Sequence, residues 1–398
     1  MRVLMLCPDL PAPPTSGGRI RMYYFARHLS SDLTLDIFAP DLPEPESLEA
    51  TRSLCRNLWL YPVSPEETLW VRLARQLRSL LTANTYPWRP EVMQRLRNVL
   101  QSESYDILHL ETPYLSRYAL PYRRQVPTVI DFFGTTLGAW REFRHARTPS
   151  HCLSRGLRYL AALAGERRCA RTFETLVVIS EQDRDYLRSL APHTQIYVIP
   201  NGIDLEYFAP QADVSVEAGR LVFVGDMGFP PNVDAMLYFH QAILPRLMSR
   251  SARLDIWIVG RDPAPAIRHL VNEGPYHVTG FVEDTRLYVS PAAAVIIPMR
   301  LGSGVRNKVL EALAMGKAVV STRAGAEGID VVSGEHLLVA DSAQDFADAI
   351  LRVLRDRPFR EHLEKAARAR MEERYTWSAC TRLLDEVYAD LARKVARP

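Results

Sequence analysis

The chain has 398 residues, which is too long for one ordinary hydrophobic core and predicts two domains of roughly 150 to 200 residues each. Its hydrophobic fraction of 47% can fill two cores, and a formal net charge of only +3 argues against a nucleic-acid partner. The five cysteines are odd in number and never form a C-x-x-C pair, which argues against a disulfide framework or a zinc site. No run of about 18 apolar residues occurs and no signal-peptide pattern precedes the first strand, so we expect a cytoplasmic protein.

The first half of the chain alternates strand and helix patterns. A buried strand over Arg2 to Cys7 is followed by a proline-rich loop that ends in Gly17 and Gly18, and a helical pattern follows directly. Further strands are predicted at Leu33–Phe38, Tyr105–Leu110, Thr128–Phe132, Thr175–Ile179 and Gln195–Ile199. This alternation predicts a doubly wound parallel sheet with a glycine loop at its ligand-binding edge, whereas residues 42–90 show little pattern.

The second half repeats the same architecture. Residues Pro200 to Pro210 have the turn residues and the proline typical of an interdomain linker. After them, strands are predicted at Arg220–Val224, Asp255–Val259, Val278–Val282, Ala294–Ile297, Ala318–Ser321 and His336–Val339, and helices at Ser342–Arg355, Arg360–Glu373 and Trp377–Val395. We therefore expect an α/β protein with a first domain over residues 1–200, a second over 201–376 and a final helix over 377–398, with the two domains facing a cleft.

The segment after the strand Ala294–Ile297 is the most informative about function. A loop with Gly302 and Gly304 leads there into a helix that carries Lys308 and Glu311. Free N–H groups and the positive end of the dipole make a helix start a phosphate site, and glycines allow close approach. Lys308 and Glu311 share one helix edge, where they would meet a diphosphate and a ribose. The pattern predicts a nucleotide diphosphate site, and an ordinary βαβ unit with a surface Lys–Glu pair is the alternative.

Taken in order and spacing, three motifs carry a family resemblance over essentially the whole chain. They are Gly17-Gly18, Pro200-Asn201-Gly202-Ile203-Asp204, and Lys308 to Arg323 followed by Gly325-Ala326-Glu327-Gly328. Together they resemble the retaining glycosyltransferases of family 4, which have the GT-B fold of two Rossmann-like domains. Asp131 and the run from Gly304 to Lys308 are similar to bacterial sugar transferases of exopolysaccharide assembly.

The resemblance implies a reaction and an arrangement of substrates. A sugar would pass from a UDP-, GDP- or similar nucleotide sugar to a glycan or lipid-linked acceptor, with retention, without a cofactor and without a bound metal ion. The acceptor would bind the first domain and the donor the second, and the final helix would cross back onto the first domain.

The resemblance also assigns roles to individual residues. Gly17 and Gly18 match the loop that closes on the diphosphate, the backbone around Phe281 and Val282 matches the nucleobase site, and Glu311 matches the ribose acceptor. The other expected donor-binding residues are Gly225, Gly260, Gly302, Ser303, Gly304, Val305, Arg306 and Lys308. Of these, Arg306 and Lys308 are expected to stabilise the leaving diphosphate, while Asp131 would orient the acceptor or support the oxocarbenium-like centre.

The chain departs from the family pattern at three places. Ser303 replaces the first of two paired glutamates, Phe133 falls near the usual histidine, and residues 226–228 replace an Arg–Lys pair. These departures leave two alternatives open, a sugar-nucleotide epimerase on the same fold and a catalytically idle donor-binding subunit.

An arginine-rich segment over residues 141–171 has only two acidic residues. Its leucines at helical spacing predict a peripheral contact with an anionic membrane, at the inner face, and an ordinary solvated face is the alternative. His109, in an apolar strand, is interpreted as a satisfied core or cleft-edge histidine rather than as a ligand.

Overall fold

The computed structural model of this protein describes residues 1–29, 32–63, 88–137, 149–211, 213–250, 253–302 and 304–395, and leaves out the side chains of residues 149–155, 157, 158 and 395. The chain divides into two compact units, one made of Met1–Gly202 with Trp377–Pro398 and the other of Ile203–Thr376.

The strands and helices alternate along the described chain. The strands are β1 (Arg2–Leu6), β2 (Thr34–Pro40), β3 (Asn57–Tyr61), β4 (Ile107–Leu110), β5 (Thr128–Phe132), β6 (Thr175–Val178), β7 (Gln195–Val198), β8 (Glu217–Val224), β9 (Asp255–Val259), β10 (Tyr276–Val278), β11 (Ala292–Ile297), β12 (Val319–Ser321) and β13 (Leu338–Val339). The α-helices are α1 (Gly17–His28), α2 (Pro45–Arg52), α3 (Pro90–Ser102), α4 (Ser116–Ala119), α5 (Pro149–Thr172), α6 (Glu181–Leu190), α7 (Pro230–Tyr238), α8 (Leu244–Met248), α9 (Pro265–His269), α10 (Arg286–Val289), α11 (Asn307–Ala314), α12 (Ala343–Arg355), α13 (Arg357–Arg374) and α14 (Trp377–Val395).

The first unit is built on a seven-stranded sheet in the order β3-β2-β1-β4-β5-β6-β7, with every pairing parallel. Because successive side chains of a strand point to opposite faces, Leu4 and Leu6 of β1 join one core, while Val3 and Met5 join another. The final helix α14 packs on α1, and its Trp377 stacks on Tyr24 with ring centroids 4.7 Å apart. The expectation that the last helix returns to the first domain is confirmed.

The second unit is built on a six-stranded parallel sheet in the order β10-β9-β8-β11-β12-β13. After β8 the chain adds β9 and β10 on one side, then returns to add β11, β12 and β13 on the other side. Strands β8 and β11 are therefore neighbours across a reversal of strand order, which is where open α/β sheets bind ligands at their carboxyl edge. The predicted fold class, two doubly wound parallel sheets, is confirmed.

Several boundaries differ from the sequence expectation. Residues 42–90, which showed little pattern, contain α2 and the edge strand β3. The apolar run of β3, Leu58 to Tyr61, is short, and such a run does not by itself distinguish a strand from a helix segment. The strand expected over Val278–Val282 lies instead over Tyr276–Val278, since Gly280 has a left-handed φ of 71° that ends the extended run. Among the described residues, no helix combines the length and the apolar character that a bilayer crossing requires.

Candidate active site

The candidate donor site lies in the second unit, at the carboxyl ends of β8 and β11. Two loops meet at this edge, the one after β8 that starts at Gly225 and the one after β11 that leads into α11. The adjacency follows from the strand order, since the two loops are more than 70 residues apart in the chain. The site is therefore a product of the topology that the sequence pattern only partly revealed.

The loop before α11 is shaped by glycines. Gly302 and Gly304 have left-handed φ values of 89° and 79°, which residues with a Cβ rarely adopt. A Cβ on Gly302 would lie 2.9 Å from a terminal guanidinium nitrogen of Arg306, so the glycine also makes room for that side chain. Ser303 lies outside the described residues. Val305 is half-buried and packs against the core of the second unit, which anchors the loop on the sheet.

Helix α11 begins at Asn307 without a side-chain cap among the described residues. The N-cap residue is Arg306, whose backbone is extended and whose side chain makes no capping hydrogen bond. Val309, Leu310, Ala312 and Leu313 are buried and hold the helix on the sheet. The N–H of Val309 donates to the carbonyl of Arg306 at 2.9 Å, which leaves the N–H groups of Asn307 and Lys308 without a partner among the described residues, at the end of the helix that attracts anions.

Lys308 is the cation at this edge. Its Nζ donates to Oδ1 of Asn232 at 2.7 Å and lies 4.1 Å from the ring centroid of Phe223. Burial lowers the pKa of Lys308 to about 7, and the charge of Arg306 acts in the same direction. An ammonium group that contacts a neutral amide and an aromatic ring, with the cationic Arg306 nearby, is well prepared to receive an anion. Sequence reasoning found Lys308 but missed Phe223 and Asn232, because neither belongs to a recognisable motif.

Gly225 and Gly260 support the lysine from the neighbouring strands. A Cβ on Gly225 would lie only 2.7 Å from Nζ of Lys308 and 2.8 Å from Nδ2 of Asn232. Gly260 has a φ of 143°, and a Cβ there would lie 1.8 Å from the carbonyl oxygen of Gly225. These contacts give the two glycines a packing role beneath Lys308. The sequence analysis predicted only that they belong to the donor site.

Glu311 lies one helical turn after Lys308 and is half-buried. Burial raises the pKa of Glu311 to about 7, and the positive charge of Lys308 opposes this shift. Its carboxylate makes no hydrogen bond or ion pair with any described residue, Lys308 included. The carboxylate is therefore available to accept from a ligand.

Phe281 and Val282 follow β10 at the same edge of the sheet. The side chain of Phe281 is 75% exposed, whereas Val282 packs against the core of the unit. A large exposed aromatic ring at a ligand edge offers a stacking surface for a planar group. This placement is compatible with the nucleobase site expected from the sequence.

The glycine loop of the first unit forms the start of α1. Gly17 and Gly18 are its first two residues, and the helix is capped by Ser16, whose side-chain oxygen accepts from the backbone N–H of Arg19 at 3.5 Å. A Cβ on Gly18 would lie 3.8 Å from the ring of Phe133, an ordinary contact. The structure thus places both glycines at the carboxyl edge of the first sheet, in a helix start like the one in the second unit.

Asp131 lies on β5, within the seven-stranded sheet of the first unit. Its side chain is completely buried, and its Oδ2 accepts from Nε of Arg21 at 2.9 Å. Arg21 is also completely buried and donates to the backbone carbonyls of Ile199 and Pro200. The structure thus pairs Asp131 with a buried arginine, and the expected role of Asp131 towards the acceptor stays a prediction.

Asp131 belongs to a group that we call the buried polar cluster: Arg21, His109, Glu111, Asp131 and Tyr388. All five side chains are completely buried. Burial lowers the pKa of His109 to about 3 and raises the pKa of Glu111 to about 8. The hydroxyl of Tyr388, on α14, lies 2.6 Å from Nδ1 of His109 on β4. Sequence reasoning placed His109 in the core but missed its partners, because they come from distant segments.

Part of the arginine-rich segment lies on the exposed side of α5. Residues 141–148 are outside the described residues, so the expectation for Arg141, Arg144 and Arg147 has no structural counterpart here. Further along α5, a shallow groove of about 350 Å³ is lined by Leu160, Leu163, Ala164, Arg167, Arg168 and Arg171. Leu160 is 59% exposed beside these arginines. A mixed apolar and basic surface of this kind suits the interface of an anionic bilayer.

Comparison with known proteins identifies the family. The model of Glycosyltransferase Family 4 matches residues 15–207, and the model of Glycosyl transferases group 1 matches residues 218–356. The crystal structure of HepE from Anabaena in complex with UDP and glucose covers 98% of this chain and 100% of its own chain, with a TM-score of 0.64 and 15% identity. The chain belongs to glycosyltransferase group 1/family 4 and has the GT-B fold. This family consists of enzymes, of class EC 2.4, that transfer a sugar from a nucleotide-sugar donor.

Two relatives match at higher sequence identity but cover less of the chain. Over 199 residues, the chain is 32% identical to a phosphatidyl-myo-inositol mannosyltransferase of Mycolicibacterium smegmatis, a match that covers 48% of this chain and 50% of the relative. The chain thus spans about half the length of that relative. Over 371 residues it is 19% identical to an uncharacterized 44.6 kDa protein in the cps region of Klebsiella pneumoniae, which covers 88% of this chain and 90% of the relative.

Proposed function

We propose that the protein is a retaining glycosyltransferase that moves a sugar from a nucleotide sugar to a lipid-linked or polysaccharide acceptor, and that it needs no metal ion at the donor diphosphate. One observation carries the proposal. Lys308 lies next to the uncapped start of α11 and the left-handed glycines 302 and 304, at the reversal of strand order in the second sheet. Together these groups offer fixed positive charge and N–H donors to a diphosphate.

The donor would be held along the carboxyl edge of the second unit. The diphosphate would contact Lys308, Arg306 and the N–H groups around residues 304–308, while Glu311 would accept from the ribose hydroxyls. The nucleobase would lie near Phe281. UDP is the first nucleotide to test, because the similar HepE structure contains UDP and glucose.

The chemistry follows from where negative charge develops. Cleavage of the bond between the anomeric carbon and the phosphate oxygen leaves a nucleoside diphosphate with growing negative charge. Preorganised donors that bind this charge more tightly than the ground state accelerate departure. Attack from the same face would allow the leaving phosphate to take the acceptor proton. A separate strong base is then unnecessary, and the enclosed position of Asp131 is no obstacle.

The acceptor would bind the first unit. One relative is named as a phosphatidyl-myo-inositol mannosyltransferase and another comes from a cps region, which supports a lipid-linked or polysaccharide acceptor. The groove on α5 supports the same idea, because its leucines and arginines can rest on an anionic membrane that contains a lipid-linked acceptor.

The alternatives differ in their products. A sugar-nucleotide epimerase would isomerise the donor, and an idle donor-binding subunit would bind it without turnover. Incubation with a panel of sugar nucleotides distinguishes the three functions: slow release of nucleoside diphosphate with sugar hydrolysis supports the transferase, isomerised donor supports the epimerase, and unchanged donor supports the binding subunit.

Donor binding can be tested without knowledge of the acceptor. A thermal-shift screen with uridine, guanosine, thymidine and adenosine diphosphates should show a clear preference for one base. Glu311→Ala should then weaken binding of that diphosphate by about 1 to 3 kcal/mol, because a buried carboxylate that accepts from ribose is lost. Glu335→Ala, an exposed change elsewhere in the second unit, is the matched control. An unchanged dissociation constant in Glu311→Ala would exclude the ribose role.

A further inference from the structure

Four side-chain atoms in the buried polar cluster of the first unit point at one another without satisfying one another. They are Nε2 of His109, Oδ1 of Asp131 and both carboxylate oxygens of Glu111, and none has a hydrogen-bond partner among the described residues. One nitrogen or oxygen from each of the three residues lies within 4.8 Å of the other two. Nε2 of His109 and Oε1 of Glu111 are 3.3 Å apart but are not aligned as a hydrogen bond.

The strand pairing explains why these three residues converge. Strands β4 and β5 are parallel neighbours, with Leu110 of β4 in register with Ile130 of β5. The next residues along are therefore side by side: Glu111 directly follows β4, and Asp131 is the penultimate residue of β5. His109 points to the same face as Glu111 because side chains alternate. The arrangement is fixed by the rigid centre of a sheet and does not depend on loops.

Two of the three side chains, His109 and Asp131, are also held on their outer side by a hydrogen bond from a second group. Tyr388 occupies Nδ1 of His109 at 2.6 Å, which leaves Nε2 directed into the cluster. Arg21 occupies Oδ2 of Asp131, with Nε at 2.9 Å, which leaves Oδ1 directed into the cluster. A histidine and a carboxylate whose outer atoms are fixed by hydrogen bonds, with their inner atoms free and convergent, form the arrangement found around protein-bound metal ions.

The charges in the cluster admit a divalent cation. Unpaired polar atoms are costly in a site with no exposure, and a cation that coordinates all three side chains would remove that cost. With Glu111 and Asp131 ionised, a divalent cation together with Arg21 leaves one net positive charge in the cluster. The remaining charge of Arg21 is offset by hydrogen bonds to the backbone oxygens of Ile199 and Pro200 and to Oδ1 of Asn201.

We propose that His109, Glu111 and Asp131 bind a divalent transition-metal ion, with Zn²⁺ the first candidate because one imidazole and two carboxylates suit it. The site is structural. It joins β4 to β5 and, through Tyr388, fixes α14 to the sheet of the first unit. It is independent of donor binding, which involves residues of the second unit, and of the expectation that the diphosphate needs no cation.

Metal analysis tests the proposal directly. Protein purified without a metal-affinity tag or chelator should contain about one zinc or similar ion per chain by plasma mass spectrometry. Glu111→Gln should lose most of that metal, whereas His277→Ala, which removes an exposed histidine of the second unit, should retain it. Tyr388→Phe should keep the stoichiometry but bind on the order of 10 to 100 times more weakly in a competition with a chromogenic chelator, because the histidine loses its outer partner.

The melting temperature of the wild-type protein supplies a second test, which does not depend on whether a substituted protein folds. Wild-type protein stripped with a chelator should show a lower melting temperature that is restored by added ZnCl₂. Glu111→Gln should still fold, because its amide N–H can donate to His109 without a metal. Since this variant lacks the metal, its melting temperature should respond to neither chelator nor zinc.

Two results would overturn the proposal. One is a wild-type chain that contains less than about a tenth of an equivalent of metal and whose melting temperature responds to neither chelator nor zinc. This would mean that a proton shared by His109 and Glu111 satisfies the cluster. The other is metal that remains bound at full stoichiometry in Glu111→Gln, which would place it elsewhere.

Discussion

Protonation of Lys308 should make donor binding depend on pH. The unliganded lysine has a pKa of about 7, lowered mainly by burial, against an ordinary value of 10.5. A bound diphosphate stabilises the ammonium form and raises the pKa, so binding takes up a proton wherever the pH lies between the two values. The contribution of Lys308 to affinity is therefore greatest at and below pH 7, and affinity falls as the pH rises above 7.

The size of this pH dependence follows from the number of protons that are taken up when the diphosphate binds. At most one proton is taken up, so the dissociation constant rises by up to tenfold per pH unit, or about 1.4 kcal/mol. Between pH 7.5 and 9 the total change should therefore approach about thirtyfold if the diphosphate restores the ordinary lysine pKa. Glu311, with a pKa of about 7, is largely ionised throughout this range and adds little to the slope.

Isothermal titration calorimetry with UDP measures the effect. Titrations at several pH values give the slope, and buffers of different ionisation enthalpy give the proton uptake directly. Lys308→Arg is the decisive control, because a guanidinium stays charged and the slope should vanish. Lys308→Met should bind weakly at every pH. A wild-type dissociation constant that stays flat from pH 7.5 to 9, or an equal slope in Lys308→Arg, would refute the reasoning.

Three further predictions concern other parts of the molecule. Gly225→Ala should weaken UDP binding about tenfold, because its Cβ would lie 2.7 Å from the lysine ammonium, whereas Gly134→Ala, with open space around it, should bind UDP normally in the same calorimetric assay. Asp131→Asn should lower the free energy of unfolding by about 3 to 5 kcal/mol in urea titrations, since it leaves a buried arginine unpaired, and unchanged stability with abolished activity would restore a catalytic role. Arg167→Ala should reduce binding to anionic vesicles about fivefold in co-sedimentation, with Arg357→Ala as the control, and equal binding by both would exclude the α5 groove as a membrane contact.

The sequence by itself determined the architecture and the donor edge. Buried parallel strands appear as continuous apolar runs, so Thr128–Phe132 and Asp255–Val259 could be placed to the residue. A glycine loop before a helix is a local signal, and it identified Gly302, Lys308 and Glu311 without any long-range information. These features could be predicted because strand, turn and helix start depend on residues that are close in the chain.

Tertiary structure alone decided which distant residues meet and which are enclosed. Asn232 and Phe223 became the neighbours of Lys308 only because β8 and β11 pair across a gap of some 70 residues. Asp131 looked like a ligand-edge carboxylate, yet Arg21, 110 residues away, encloses it. The edge strand β3 was not predicted, because its short apolar run does not by itself distinguish a strand from a helix segment. Burial and pairing depend on long-range packing, which local patterns do not encode, and they set the charge states on which the function of a site depends.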